Sequence, residues 1–137
     1  MRSIIAILNH KGGVSKTTTT INLAAALQQK GKKVLVIDLD GQANLTESFG
    51  YSIEEPNTIY GAMKGEYPLP LIKTESGITL IPSCLDLAAA ESELINEPGR
   101  EMILKQLIGK LPKENKFDYI LIDCPPSLGL LTLNALT

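Results

Sequence analysis

A glycine-bearing loop near the start of this 137-residue chain constrains its fold more than any other stretch. The loop covers residues 9–18 (Asn-His-Lys-Gly-Gly-Val-Ser-Lys-Thr-Thr), between an apolar run at residues 4–8 and a predicted helix at residues 19–30. A buried strand, a glycine-bearing loop that ends in Lys-Thr, and a helix follow one another in phosphate-binding loops. The N–H groups of such a loop and the free helix N-terminus favour an anion at one point.

Two side chains of the loop have the chemistry that a bound phosphate and its metal require. We expect Lys16 to add a positive charge at the outer phosphates and the Thr17 hydroxyl to bind magnesium, which prefers oxygen ligands. The usual pattern G-x-x-x-x-G-K-[ST] is matched imperfectly, because His10 and Ser15 occupy the two glycine positions. A glycine-rich turn with a helix-capping lysine is the alternative, and the acidic motifs described below argue against it.

The composition indicates one domain over residues 1–137, with the charged and apolar fractions of an ordinary folded protein, 20% and 44%. The net charge of −2 gives the chain as a whole no basic footprint for nucleic acid. Cys84 and Cys124 lie far apart and form no C-x-x-C pair, which favours a reduced cytoplasmic protein over a zinc or redox protein. No apolar run approaches the roughly 20 residues that span a membrane, and the N-terminal run does not resemble a signal peptide.

The apolar pattern along the chain predicts an α/β fold, with a mostly parallel sheet and helices on both faces. The first strand candidate, residues 4–8, is continuously apolar, as expected when helices cover both faces of a sheet. The first two candidates flank a single helix, which predicts a right-handed crossover and parallel pairing between them. Strands are predicted at residues 4–8, 34–38, 77–83 and 117–123, and helices at residues 19–30, 44–49, 57–64, 85–95, 98–111 and from 128.

Carboxylates follow two of the predicted strands. Asp38 ends the second strand, Asp40 lies two residues further on, and Asp123 ends the last strand, as in a Walker B motif. Parallel strands place these residues and the phosphate loop at the same sheet edge, where open α/β sheets bind ligands. The spacing therefore predicts a magnesium–nucleoside triphosphate site. Ordinary solvated loop carboxylates are the alternative for Asp38 and Asp40.

Aromatic and basic residues elsewhere have plainer interpretations. Three tyrosines are predicted to pack in or around the core rather than to stack on a base; they are Tyr51, Tyr60 and Tyr67. Four lysines are predicted to form a solvated surface rather than a nucleic-acid site, because acidic residues are interspersed; they are Lys105, Lys110, Lys113 and Lys116.

Three stretches of the chain, residues 11–18, 34–44 and 117–134, resemble one known family. Residues 11–18 resemble the deviant Walker A motif KGGxGK[ST] of the ParA/MinD superfamily, with Ser15 as a departure. Residues 122–129, Ile-Asp-Cys-Pro-Pro-Ser-Leu-Gly, are the most specific match. The whole chain resembles the N-terminal part of a ParA/Soj-type chromosome- or plasmid-partitioning ATPase. The resemblance implies a P-loop NTPase fold and an ATP-hydrolysing switch in DNA segregation.

The resemblance also implies roles for individual residues. Lys11 resembles the signature lysine that reaches across an ATP-bound dimer to the partner's phosphates, and Asp40 resembles the residue that positions the attacking water. Residues 38–44 and 124–129 would be the nucleotide-sensing switch segments. The implied catalytic residues are Lys11, Lys16 and Asp40; the implied ATP-binding residues are Lys11, Gly12, Gly13, Val14, Ser15, Lys16, Thr17 and Thr18; the implied Mg²⁺ residues are Thr17, Asp38 and Asp123.

The partners implied by the resemblance are a second copy of the chain, bound on ATP, and a ParB-like centromere-binding adaptor protein. Non-specific DNA would bind through a C-terminal part that follows in the family, and no membrane partner is expected. The implied location is the cytoplasm, in association with the nucleoid.

Two departures from the family modify these expectations. Ser15 places a side chain next to the phosphates, and a left-handed backbone there would cost roughly 1–2 kcal/mol. We therefore predict weakened nucleotide binding. Family members also continue well past residue 137, so the chain is expected to be truncated and to leave a sheet edge open for association.

Three other functions remain open. A MinD-like membrane-positioning ATPase requires a C-terminal amphipathic helix, which the sequence does not show. An electron-transfer protein like the nitrogenase iron proteins requires a suitably placed cysteine pair, for which Cys84 and Cys124 are the candidates. A binding module without ATPase activity would result if Ser15 or the short length abolished nucleotide binding.

Overall fold

A computed structural model describes residues 3–7, 14–51, 56–89, 99, 102–112 and 116–124. The strands are β1 (Ser3–Ile7), β2 (Val34–Asp38), β3 (Ile72–Lys73), β4 (Thr79–Ile81) and β5 (Tyr119–Asp123). The helices are α1 (Val14–Gln29), α2 (Asn44–Ser48), α3 (Ile59–Met63) and α4 (Ile103–Gly109), with a 3₁₀ helix at Leu85–Ala89.

The five strands form one sheet in the order β1-β5-β2-β4-β3. All pairings are parallel except that of β3 with β4, which confirms the predicted mostly parallel sheet. The predicted direct pairing of β1 with β2 is wrong, because β5 lies between them and Tyr119 is in register with both Ser3 and Val34. β5 takes the central position because it is apolar on both faces, and its residues are most fully removed from water between two other strands.

Strand β3 is a short edge strand that the sequence pattern did not predict. Ile72 and Lys73 pair antiparallel with Leu80 and Thr79, and Gly77 closes the connection with φ +92. Two residues are too few to show a strand period, and Pro68 and Pro70 just before them are typical of a loop.

Helices cover both faces of the sheet, as predicted. The face towards α1 and α2 buries a cluster that comprises Ala24, Val34, Val36, Leu45, Ile78, Leu80 and Leu121. The opposite face packs against α3, the 3₁₀ helix and α4, and the larger cluster there includes Leu35, Ile37, Ile59, Met63, Leu87, Leu104, Ile108, Ile120 and Ile122. Successive residues of β2 and β5 therefore alternate between two apolar layers, which explains their continuous apolar sequences.

Helix boundaries differ from the predictions mainly at their starts. Helix α1 begins at Val14 rather than at residue 19, so the Lys-Thr pair belongs to its first turn. It ends before Gly31, whose φ of +80 suits a glycine after a helix. The predicted helix over 85–95 begins as a 3₁₀ helix, and residues 90–98 lie outside the described residues, as does the helix predicted from 128. Helix α4 covers residues 103–109 of the predicted 98–111, and residues 100 and 101 also lie outside the described residues.

Strand β1 forms one edge of the sheet, and Ile4 on it is 48% exposed. Among the described residues no strand pairs with its outer side. In the same part of the chain, no helix has the length and apolarity needed to cross a membrane.

The tyrosines and lysines agree with their plainer interpretations. Tyr60 and Tyr67 pack against the larger cluster and Tyr51 against the smaller one. The Tyr67 hydroxyl accepts a hydrogen bond from the Thr58 N–H at 3.0 Å and donates one to the Thr58 carbonyl at 3.2 Å. The lysines at positions 105, 110 and 116 are exposed, and the one at 113 lies outside the described residues.

Candidate nucleotide and magnesium site

Two buried aspartates lie side by side at the carboxyl edge of the sheet. Asp38 ends β2, Asp123 ends β5, and the two are register partners. Pairing continues one residue beyond the strands, because the Leu39 N–H donates to the Asp123 carbonyl at 2.9 Å and the Cys124 N–H donates to the Ile7 carbonyl at 3.1 Å. The backbone at this edge is therefore fixed by three adjacent strands.

The first turn of α1 contacts this edge through Thr17. Its hydroxyl donates a hydrogen bond of 3.3 Å to Asp123 Oδ2, across 106 residues of sequence. Thr17 is 6% exposed and Asp123 is 1% exposed. The contact brings together two of the three residues predicted for magnesium, which come from separate motifs of the sequence.

Asp38 is held by hydrogen bonds in a fully buried position. Thr46 donates to its Oδ2 through both the backbone N–H, at 2.9 Å, and the hydroxyl, at 2.6 Å. The Asp40 N–H donates to its Oδ1 at 3.2 Å. Burial raises the pKa of Asp38 to about 7, the Asp123 carboxylate adds to the rise, and the Thr46 hydrogen bonds oppose it.

The raised pKa predicts a pH-dependent effect of Asp38→Asn when magnesium and nucleotide are absent. Between the ordinary pKa of 3.8 and about 7, the folded state retains a proton that the unfolded state has released, so this group destabilises the fold as the pH rises. The stability of Asp38→Asn relative to wild type should therefore increase between pH 5 and pH 7, by up to about 1.4 kcal/mol per pH unit. Urea unfolding of both proteins in EDTA, repeated across this pH range, measures the difference in stability.

A constant offset is expected in that comparison, because the substitution can place an amide nitrogen opposite the Asp40 N–H, where Oδ1 of Asp38 now accepts. The offset does not alter the slope with pH. Asp86→Asn, on the 3₁₀ helix, controls for the change in net charge. A difference between Asp38→Asn and wild type that stays flat from pH 5 to pH 7 would contradict the prediction.

Asp40 begins the turn that leads from β2 into α2. It is 5% exposed, its Oδ1 accepts the Gln42 N–H at 3.0 Å, and its carbonyl accepts the Ala43 N–H at 2.9 Å. Ordinary solvation is therefore the wrong explanation for both Asp38 and Asp40. Asp40 is also adjacent to the pair of strand-terminal aspartates, as the sequence spacing implied.

Ala43 completes the same turn in a left-handed conformation, with φ 57 and ψ 29, at the N-cap of α2. It is fully buried. A left-handed backbone costs an alanine roughly 1–2 kcal/mol, and surrounding structure must hold it there. The segment that carries Asp40 is therefore constrained by its neighbours rather than by its own backbone preference.

The remaining predicted site residues are only partly described. Lys11, Gly12 and Gly13 lie outside the described residues, and the backbone at 14–16 forms the first turn of α1 without described side chains. Thr18 follows Thr17 and is exposed. Since Ser15 lies within a right-handed helix, the expected penalty for a left-handed backbone does not apply. The expectation that its β-carbon crowds the phosphates remains a prediction.

The oxygen donors of this edge fit a magnesium ion that is shared with a nucleotide. Thr17, Asp38 and Asp123 offer one hydroxyl and two carboxylates. In the described parts of the chain, no group of three or more His, Cys, Asp or Glu side chains could hold a metal by itself. Magnesium in nucleotide sites characteristically takes only one or two carboxylates, and substrate phosphates and waters complete its shell.

Thr46 and Ser83 also belong to this site, although sequence reasoning did not identify them as functional. Both are fully buried, and both form hydrogen bonds with the Asp38–Asp40 segment. Ser83 is the last residue of the strand predicted over 77–83, and this position at a strand end is the one signal that pointed towards the site. Thr46 had no signal beyond its place in a short predicted helix.

The fold and this edge together define a P-loop nucleoside triphosphatase fold, in which the start of α1 meets the aspartate at the end of β5. Residues 2–137 match the family model described as "AAA domain". The chain belongs to this family, as a ParA/Soj-type member.

Curated relatives and solved structures agree with that assignment. The sporulation initiation inhibitor protein Soj of Bacillus subtilis is 45% identical over 100% of this chain and 55% of its own length. The chromosome partitioning protein ParA of Myxococcus xanthus is 47% identical over 97% of this chain and 48% of its own length. The chain thus spans about half the length of the curated relatives it matches.

Two similar structures contain bound nucleotides. A putative plasmid partition protein from Borrelia burgdorferi, bound to AMPPNP, has a TM-score of 0.82 and 36% identity, and the match covers 98% of this chain and 58% of that protein. Cobyrinic acid a,c-diamide synthase from Mycobacterium smegmatis, with bound ATP analog and magnesium, has a TM-score of 0.93 and 43% identity. The match covers 99% of this chain and 56% of that protein.

Proposed function

We propose that this chain is the nucleotide-binding part of a switch protein that binds and hydrolyses ATP in DNA segregation and dimerises on ATP. The contact between Thr17 and Asp123, beside Asp38, carries the proposal. It joins the first turn of a phosphate-loop helix to a Walker B aspartate, which is the arrangement that a magnesium nucleotide requires.

In this proposal each residue at the edge has a defined task. Magnesium bound here would bridge the outer phosphates and neutralise charge that develops during phosphoryl transfer. Thr17 would ligate the ion, and Asp38 and Asp123 would orient its shell. Asp40 would position the attacking water from the turn after β2.

The loop residues would act on the phosphates themselves. Lys16, the N–H groups of residues 12–15 and Thr18 would hold the phosphate chain at the start of α1, where the helix dipole also favours an anion. Lys11 would reach the phosphates of the partner copy in the ATP-bound dimer. Charge stabilisation and positioning account for most of the catalysis of phosphoryl transfer, so a second lysine there would accelerate hydrolysis.

The proposed partners are those that the resemblance to ParA/Soj-type proteins implies, and the Soj and ParA relatives support that family assignment. These partners are a second copy of the chain, a ParB-like adaptor protein, and non-specific DNA bound through a part of the protein beyond this chain. The proposed location is the cytoplasm, on the nucleoid.

The alternatives receive less support. Cys124 is fully buried at the end of β5 and donates a hydrogen bond to the Ile122 carbonyl, whereas a cluster shared between subunits needs thiols at the surface. The diamide synthase name of one similar structure would imply ATP-dependent amide formation. Both curated relatives described above carry sporulation or partitioning names instead.

Calorimetric titration with ATP, in magnesium and in EDTA, tests the proposed function. We expect saturable binding by the wild-type chain that is tighter with magnesium. Ser15→Gly should bind about 3- to 10-fold more tightly, roughly 1 kcal/mol, because a β-carbon next to the phosphates is removed. Ser15→Ala, which keeps that carbon, should resemble wild type.

Comparing Ser15→Gly with wild type separates an effect of the Ser15 side chain from a failure of the whole chain to bind ATP. Equal affinity of Ser15→Gly and wild type would contradict the crowding argument. Binding by neither would refute ATP binding for this chain and favour the module without ATPase activity.

A further inference from the structure

Four residues at the carboxyl edge form a closed ring of hydrogen bonds through their side chains and backbone groups. The Thr46 hydroxyl donates to Asp38 Oδ2 at 2.6 Å and accepts the Ser83 N–H at 2.9 Å. The Ser83 hydroxyl donates to the Asp40 carbonyl at 2.8 Å, and the Asp40 N–H donates to Asp38 Oδ1 at 3.2 Å. The ring thereby links the end of β2, helix α2 and the residue pair after β4.

The ring is shielded from water. Asp38, Thr46 and Ser83 are each 0% exposed, and Asp40 is 5% exposed. Hydrogen bonds in such a low-dielectric environment are strong, and a broken one leaves a buried polar group that water cannot satisfy. Opening the ring at one bond should therefore loosen the Asp38 carboxylate and the Asp40 backbone, while the backbone of residues 38 and 39 stays paired with β5.

Thr46 has the central place in the ring. Within a helix, a threonine hydroxyl characteristically bonds the carbonyl four residues earlier. Here it bonds a carboxylate eight residues earlier and an N–H thirty-seven residues later, so its single proton is directed at Asp38. A hydroxyl that bonded only to a carbonyl of its own helix would contact neither Asp38 nor Ser83.

We propose that Thr46 is a positioning residue that, together with Ser83, holds Asp38 and Asp40 in the arrangement that the magnesium–nucleotide site needs. The proposal rests on the proposed function for the identity of the ligand. It does not require Thr46 or Ser83 to touch magnesium or nucleotide. Their effect is transmitted through the orientation of the Asp38 carboxylate and the position of the Asp40 backbone.

Hydrogen exchange in the nucleotide-free chain tests the ring by itself. Thr46→Val keeps the shape and the backbone N–H donor but loses the hydroxyl, and it should accelerate exchange of the Asp40 and Ser83 amides about tenfold. Thr46→Ser keeps the hydroxyl and should restore near wild-type exchange. Ser83→Ala, which removes only the bond to the Asp40 carbonyl, is the second variant if Thr46→Val folds poorly.

Thr74→Val is the matched control. Thr74 is 6% exposed, and its hydroxyl donates to the Ile78 carbonyl at 2.7 Å in the turn between β3 and β4, away from the ring. It should leave exchange at Asp40 unchanged. Unchanged exchange in Thr46→Val and Ser83→Ala would overturn the proposal, and so would an equal acceleration in Thr74→Val.

The link to the ligand is tested by the gain in ATP affinity that magnesium provides. Thr46→Val should lose about 10- to 100-fold of that gain while it keeps its affinity for ATP in EDTA, as expected for groups that orient metal ligands. Thr46→Ser should keep the gain. A full gain in Thr46→Val, despite faster exchange, would overturn the positioning role. A wild-type chain that binds no nucleotide would refute the proposed function, and the exchange comparison would still decide whether the ring exists.

Discussion

Replacing Ile122 by alanine is expected to lower the free energy of unfolding by about 2–5 kcal/mol. Ile122 is 1% exposed on β5, which lies between β1 and β2, and it packs in the larger apolar cluster. Truncation there removes buried methyl groups and leaves a cavity under three strands at once. Urea unfolding followed by circular dichroism measures the loss of stability. The loss appears as a lower urea concentration at the unfolding midpoint, with the dependence of the free energy on urea unchanged.

Leu85→Ala is the control for that experiment. Leu85 is 57% exposed on the 3₁₀ helix, so an equal loss of methyl groups should change the stability by less than about 0.5 kcal/mol. A loss below about 1 kcal/mol for Ile122→Ala would show that β5 does not occupy the centre of the sheet.

Thr17→Val is expected to reduce the magnesium-dependent gain in ATP affinity by about 10- to 100-fold. The hydroxyl of Thr17 donates a hydrogen bond to Asp123 at 3.3 Å, and valine has the same shape without an oxygen. Affinity for ATP in EDTA should change little, because the phosphates would be held by the loop and by Lys16. Magnesium titration at fixed ATP measures the effect.

Thr17→Ser and Thr20→Val separate the metal ligand from a general effect on α1. Serine keeps the hydroxyl and should keep most of the magnesium effect. Thr20 is also buried and lies one turn further along α1, so Thr20→Val should leave the magnesium effect in place. If Thr17→Val retains the full magnesium gain, Thr17 is not a ligand.

Much of the site was predictable because its chemistry is carried by residues at strand ends. Continuous apolar runs predicted β1, β2 and β5, and an aspartate at the end of each of the last two placed Asp38 and Asp123 at one edge. The Lys-Thr pair after a glycine-bearing loop placed Thr17 beside them. These inferences need only local pattern and the rule that parallel strands end at a common edge.

The remainder depends on contacts between distant parts of the chain. No local pattern states that β5 inserts between β1 and β2, since that depends on which strand gains most from burial on both faces. Ala43 gives no hint of a left-handed backbone, because alanine normally avoids it. The bond between Ser83 and Thr46 joins a residue after β4 to a helix thirty-seven residues earlier, and sequence spacing alone cannot predict it.

The central position of β5 also determines when the site can assemble. β2 can pair with β4 as soon as β4 has been synthesised, but among the described strands β1 pairs with β5 alone, and that pairing must wait until residues 119–123 leave the ribosome. Closing a loop between Thr17 and Asp123, which lie 106 positions apart in the sequence, is slow relative to local pairing. The nucleotide edge should therefore be among the last native contacts to form, and ATP cannot assist the earlier steps of folding.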